Sequence, residues 1–349
     1  MFGKDEIDRV YFNKEIIWER YIPPVFDESR IAVVELDEML NPTDEIIYYK
    51  TTVDARNYLR SYDGPKQYGV YIGKNMGITE LATSSFSSAK GLYSVVIPEG
   101  VITIGNSSFK DCVNLKKVDM PEGLININIT AFNNCTSLET IDIPKSVTTI
   151  GQSAFKDCIN LEHVNIFDGR ENNIEKISNG AFANTAIQHV RLNSNGVILG
   201  YEVFKGSSIR TAIINRASSV DYAIFQNCYD LASVYFDGEE IGSSMFDECS
   251  SLVNVSLGEH IEQIHASAFR KCIKLESVIF PDKTYEYYQY LFRYCDNMRE
   301  VTIGKGATHI NQNAFTDVPN LESILVFADP EILKGSPWGA KSKDIVTWH

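Results

Sequence analysis

Positive charge is scarce in this chain: 32 Lys and Arg stand against 46 Asp and Glu, a net charge of −14. Nucleic acid and anionic membranes both need clustered Lys and Arg, so neither is an expected partner. Long apolar runs are missing as well. No stretch of about 18 apolar residues exists, which excludes a spanning helix. The opening MFGKDEIDRV lacks the apolar centre of a secretory leader. The protein is therefore expected to stay where it is made, to leave by a route its sequence does not encode, or to have had a leader trimmed. There is no Gly-rich phosphate loop, no H-E-x-x-H, no G-x-S-x-G and no C-x2-C pair. The expectation is no enzyme, no catalytic residue, no metal and no cofactor. The apolar fraction of 44% and charged fraction of 22% are those of an ordinary soluble globular chain.

What the chain does contain is a rule. It has seven cysteines, and each follows a phenylalanine by three residues: Phe109/Cys112, Phe132/Cys135, Phe155/Cys158, Phe225/Cys228, Phe246/Cys249, Phe269/Cys272 and Phe292/Cys295. Phenylalanine itself recurs at 86, 109, 132, 155, 182, 204, 225, 246, 269, 292 and 315, in steps of 23, 23, 23, 27, 22, 21, 21, 23, 23 and 23. An apolar residue precedes it by five, as in Ile104, Ile127 and Ile150. Leu follows by six, as in Leu115, Leu138 and Leu161. A period-2 apolar pair comes next, such as Val118/Met120 or Ile141/Ile143, often closed by proline as at Pro121 and Pro144.

Each copy reads physically. LETIDIP alternates like a short strand, and Pro144 ends pairing because it has no N–H. Gly105, Gly151, Gly200 and Gly242 mark a turn, read as needing tight or left-handed backbone. AFKDC is expected to be a short helical turn. One unit cannot bury its apolar face alone, so the copies must stack into a solenoid. The cysteine column is completed by Ala89, Thr185, Ser207 and Val318, all small and uncharged. Limited volume is therefore its common demand, and free buried thiols are the expectation. Disulfides between stacked neighbours would need better geometry than one strand spacing provides.

Units such as LETIDIPKSVTTIGQSAFKDCINL, residues 138–161, resemble the BspA-type leucine-rich repeat, a treponemal-type unit of 23 residues. The resemblance covers residues 78–326. It implies an α/β repeat fold, a curved right-handed leucine-rich-repeat solenoid with a concave parallel sheet. It also implies a non-enzymatic role in adhesion or recognition of a protein or glycan on a cell surface. The irregular copies at Phe182, Phe204, Phe225 and Phe246 depart from the pattern.

The ends do not repeat. Residues 1–77 are expected to form a small N-terminal domain or cap, preceding about eleven repeats over 78–326. RVYFNKEIIWER suggests a hairpin around Asn13 and Lys14, and TTVDARNYLRSY suggests a helix starting near Thr52 or Asp54. The hairpin resembles short segments that begin some phage tail-associated proteins. That offers an alternative: a virion component whose residues 1–77 attach to the particle, or make homo-oligomer contacts, while the repeats bind a host surface. Residues 327–349 are expected to be a C-terminal cap. Asp329 and Pro330 would start a short helix there, and Trp338 and Trp348 would cover the last coil.

Chemistry-bearing side chains read as surface groups. The histidines are His163, His189, His260, His265, His309 and His349, and the close pair His260/His265 is read as two turn residues rather than a metal pair. Sequons at Asn106, Asn128, Asn134 and Asn254 matter only in a eukaryotic secretory route. On a strand L-x-x-V-x-I, the residues flanking V face away from the core. Those two columns bring His163, His189, Arg191, Ile213 and Tyr235 together on the concave face, the first candidate partner site. The second is the tyrosine cluster of KTYEYYQYLFRYC. There Tyr287 takes a core column, and Tyr285, Tyr288, Tyr290 and Tyr294 are read as outward.

Overall fold

The computed structural model describes residues 11–12, 15–16, 27–36, 42–62, 64, 66–169, 172–193 and 196–349. The chain divides into two units, residues 1–165 and 166–349.

In the first unit, Ile31–Leu36 runs antiparallel to both Pro42–Tyr49 and Gln67–Ile72. Strand Ile31–Leu36 is apolar and buried at every position but the half-buried Glu35, as expected of a central strand. Helix α1, Thr52–Ser61, packs Ala55 and Leu59 inward, and its cap is Thr51, whose side chain accepts from the Asp54 N–H. Gln67–Ile72 then pairs in parallel with Leu92–Val96, and that strand with Lys117–Asp119. The non-repeat strands and the first coils thus share one sheet. Tyr11–Phe12 pairs antiparallel with Glu15–Ile16, as the hairpin reading expects; Asn13 and Lys14 lie outside the described residues.

Each coil then repeats one path. A strand such as Thr140–Ile141 is followed by a two-residue strand of a second sheet, such as Thr149–Ile150. The second-sheet strands stack in parallel and in register: Leu81, Ile104, Ile127 and Ile150 sit above one another. Phe86, Phe109, Phe132 and Phe155 stack behind them, neighbouring ring centres 5.0–5.6 Å apart. The second unit repeats the arrangement with Phe182, Phe204, Phe225, Phe246, Phe269, Phe292 and Phe315. The fold is a parallel β-solenoid of the leucine-rich-repeat kind. α1 is the one α-helix among the described residues.

The segment around each phenylalanine is not the helical turn that AFKDC suggests. The residues two before and two after it are left-handed: Ser107 and Asp111 around Phe109, Thr130 and Asn134 around Phe132, Ser244 and Glu248 around Phe246. Alternating handedness splits the N–H groups into two sets. Those of Ser107, Phe109 and Asp111 donate across to the next coil, to Ile129, Ala131 and Asn133 carbonyls. Those of Ser108, Lys110 and Cys112 close three-residue turns within their own coil. All six of these donors are satisfied without a helix.

The turn glycines also differ from the reading above. Gly105 and Gly151 have no left-handed backbone. A Cβ on Gly105 would sit 2.2 Å from the Leu81 carbonyl oxygen, and on Gly151 2.5 Å from the Asn128 carbonyl carbon. Close approach of coils, not backbone freedom, selects glycine there.

The seven thiols are free and buried. Volume is only half of what their column demands. Cys112, Cys135, Cys158, Cys228, Cys249, Cys272 and Cys295 each donate S–H to the carbonyl of the phenylalanine one coil back, at 2.9–3.2 Å. Ser207 Oγ makes the same bond to Phe182, at 2.8 Å. The column therefore favours a small donor, with Ala89 and Val318 as the exceptions.

At the end of the chain, Asp329 and Pro330 begin a single turn rather than a helix, with the Asp329 carboxylate accepting from the Glu331 N–H at 2.8 Å. Trp338 is buried against Phe315, and Trp348 lies edge-on to Trp338. Val346–Trp348 adds a parallel strand to Ser323–Val326.

Candidate recognition surface

In the second unit, strands His189–Leu192, Thr211–Ala217, Ser233–Gly238 and Asn254–Leu257 form one parallel sheet. Val190, Ala212 and Val234 point inward and are buried. Register then fixes two outward columns. His189, Thr211, Ser233 and Asn254 align in one; Arg191, Ile213, Tyr235 and Ser256 align in the other.

The sheet ends at Asn254–Leu257. The next coil's strand, Ser277–Ile279, pairs onward with Glu300–Ile303, in a separate sheet. At this seam Val255 is half-buried, where its counterparts in the preceding coils are covered, and Val253 is 47% exposed. An open groove of about 460 Å³ results, walled by Ile213, Tyr235, Val253, Asn254, Ser256 and Ser277, among others. Burial, together with Asp237 and Glu259, raises the Tyr235 phenol above its ordinary value, so it carries a proton at neutral pH.

The first candidate set is therefore distributed. Ile213 and Tyr235 line the groove. His189 is exposed and meets Thr211 Oγ1 at 2.8 Å through Nδ1. Arg191 is exposed, yet its side chain lies across Gly169, where an added Cβ would meet its Cδ at 2.6 Å. His163 belongs to the first unit, where it is exposed on the strand paired with Thr140–Ile141. Alternation also puts Asn254 and Ser256 in these two columns, though neither is among the sequence candidates, and the seam has no obvious mark. The signal was the change from 21-residue to 23-residue spacing at Phe246.

The tyrosine cluster lies on the turns that follow Ser277–Ile279. Tyr287 is fully buried against Phe280. Tyr285 accepts from Gln263 at 2.5 Å, and Tyr288 stacks on His265 with ring centres 4.8 Å apart. Tyr290 and Tyr294 occupy the two left-handed positions of their coil, at φ +60° and +63°. A bulky side chain there costs about 1–2 kcal/mol. The Arg293 guanidinium sits over both rings, 5.1 and 4.8 Å from their centres, and Arg293 also pairs with Asp317. Of the four, Tyr294 is the most open, at 42% exposure; the other three are half-buried.

The close histidine pair is divided between carboxylates. His260 Nδ1 lies 3.1 Å from Asp237, and His265 Nε2 lies 2.6 Å from Glu240. No helix among the described residues is long and apolar enough to cross a membrane.

The pattern that defines BspA type leucine rich repeat regions matches the chain in six copies, over residues 79–211, 170–239 and 218–335. Similar solved structures include a leucine-rich repeat protein from Bacteroides ovatus, 20% identical, covering 82% of this chain and 96% of that one, with a TM-score of 0.47. A leucine rich cell surface protein from Faecalibacterium prausnitzii is 19% identical over 85% of this chain and 87% of its own, with a TM-score of 0.43. The pneumococcal vaccine antigen PcpA is 18% identical over 78% and 79%, with a TM-score of 0.46. No curated protein sequence matches.

Proposed function

This chain belongs to the BspA-type leucine-rich repeat family, and from that premise we propose that it is a non-enzymatic recognition module acting at a cell surface or outside the cell. Its binding face is the outward side of strands 189–257, extended to Ser277 by the groove. The observation that carries this reading is the groove itself, where an aromatic and two aliphatic side chains open onto solvent beside small polar ones. The non-enzymatic part draws support from the thiols. Burial pushes Cys112 and Cys228 up to about 12, so neither offers a thiolate at neutral pH. The virion reading of residues 1–77 gains nothing from the family match, which begins at residue 79.

The test is binding of the full chain to arrays of extracellular proteins and cell-surface glycans. Tyr235→Ala and Arg191→Ala are then measured against the best ligand. At least a tenfold loss is expected for Tyr235→Ala, and a smaller one for Arg191→Ala, which sits at the margin. Unchanged affinity in both variants overturns the assignment of this face.

A further inference from the structure

We infer that the groove at Tyr235 holds a neutral oligosaccharide, lying across the strands with about one sugar ring per coil. The inference rests on the reading of this sheet face as the binding surface, and it names the ligand class.

The backbone offers a partner little. Arg210, Ala232 and Val253 N–H groups donate to Gln188, Arg210 and Ala232 carbonyls, and the strands between pair residue for residue. Strand Ser277–Ile279 follows directly beside Asn254–Leu257. Only at the seam, where no ladder joins Asn254–Leu257 to Ser277–Ile279, is a strand edge left unpaired, and the neighbouring coil already lies against it, so recognition falls to side chains.

Those side chains suit a sugar. Tyr235, Ile213 and Val253 give an apolar floor with one aromatic ring. Around them stand Thr211, Ser233, Asn254, Ser256 and Ser277. The side chains of Ser233, Asn254, Ser256 and Ser277 make no hydrogen bond within the described residues, so their donors and acceptors are available. Thr211, Ser233 and Asn254 are direct register neighbours, which places one polar group every strand spacing, about 4.8 Å. That is close to the length of one hexose, so a repeating ligand meets a repeating wall.

Charge selects the neutral kind. No wall residue is ionised, and Tyr235 keeps its proton. The carboxylates that act on Tyr235, Asp237 and Glu259, disfavour uronate, sialate or sulfate there. The nearest cation of the same column, Arg191, is turned across Gly169.

The experiment uses the full chain and four immobilised neutral hexasaccharides: cellohexaose, chitohexaose, xylohexaose and mannohexaose. A sialylated and a sulfated oligosaccharide are the anionic arms, and a panel of extracellular proteins runs in parallel. At least one neutral hexasaccharide is expected to bind. Tyr235→Ala should weaken it at least tenfold, and Asn254→Ala and Ser277→Ala several-fold. Asn254→Trp, which fills the groove, should abolish it. Ser323→Ala, in the same column away from the groove, should change nothing. Melting curves of all variants check that each is folded. Binding to no neutral hexasaccharide, preference for the anionic arms, or full binding by both Tyr235→Ala and Asn254→Trp overturns the inference. If sugars fail while protein binding is lost in Tyr235→Ala, the face is a recognition surface for protein and only the glycan assignment falls. If neither class binds through it, both fall.

Discussion

A cysteine in this protein is read by its neighbour one coil away. Cys249 is buried and donates to the Phe225 carbonyl at 3.2 Å. Cys249→Ala removes both bulk and donor and is expected to cost about 1–2 kcal/mol in a urea titration. Cys249→Leu should cost more, because it forces the stacked coils apart. Tyr287 shows the opposite case. It fills a column otherwise held by Ile, Leu or Val, and its hydroxyl is buried beside Thr284 and the Gly304 backbone without a well-formed hydrogen bond to either. Tyr287→Phe should therefore leave stability unchanged or raise it by up to about 1 kcal/mol, whereas loss of stability would reveal a hidden partner. The positions of both residues were legible in the sequence, because burial repeats with the period. The thiol's donor role was not: Ser207 and Thr185 in the same column were the available hint, and they were read for size alone.

At the scale of an element, the ribbon around each phenylalanine is where reading by residue type fell short. Ser, Asn and Asp two places from Phe look like ordinary turn formers, equally at home beside a helical turn. Only pairing between coils shows that they hold alternate residues left-handed. Asn134 illustrates the demand, with φ +60° and its side-chain amide donating to Asp111 at 3.0 Å. Asn134→Val should destabilise by about 1–2 kcal/mol or more, and Asn134→Gly should recover most of that, both measured by thermal melting. Strand irregularity was equally hidden. Alternation puts Asn165 in an outward column, but its strand stops at Val164. The Asn165 amide turns back to bond the Ile143 N–H and carbonyl at 2.9 and 3.0 Å, replacing the missing backbone pair. The candidate site divides the same way: the columns followed from alternation, while the seam that opens the groove depends on which strands pair.

For the molecule as a whole, the buried thiols make stability a function of alkalinity. Burial raises Cys112, Cys135, Cys228, Cys249 and Cys272 above the ordinary thiol value. In the unfolded chain they ionise near pH 8.5. Above that pH the unfolded state binds fewer protons than the folded one, so stability falls as pH rises. It is complete below about pH 8 and declines toward 12, by up to about 1.4 kcal/mol per pH unit for each thiol. Urea midpoints between pH 7 and 11 would show the decline, and a flat profile would mean the thiols are accessible. The ribbon carries a further consequence. Its cross-coil bonds all run one way, N–H forward to carbonyl, so its two ends are unlike: Phe315 N–H is met by the Trp338 carbonyl, while Arg56 of α1 donates to the Ser84 carbonyl at the other. Two such ends are self-complementary. Stripped of these stoppers, copies of the chain are expected to join head to tail.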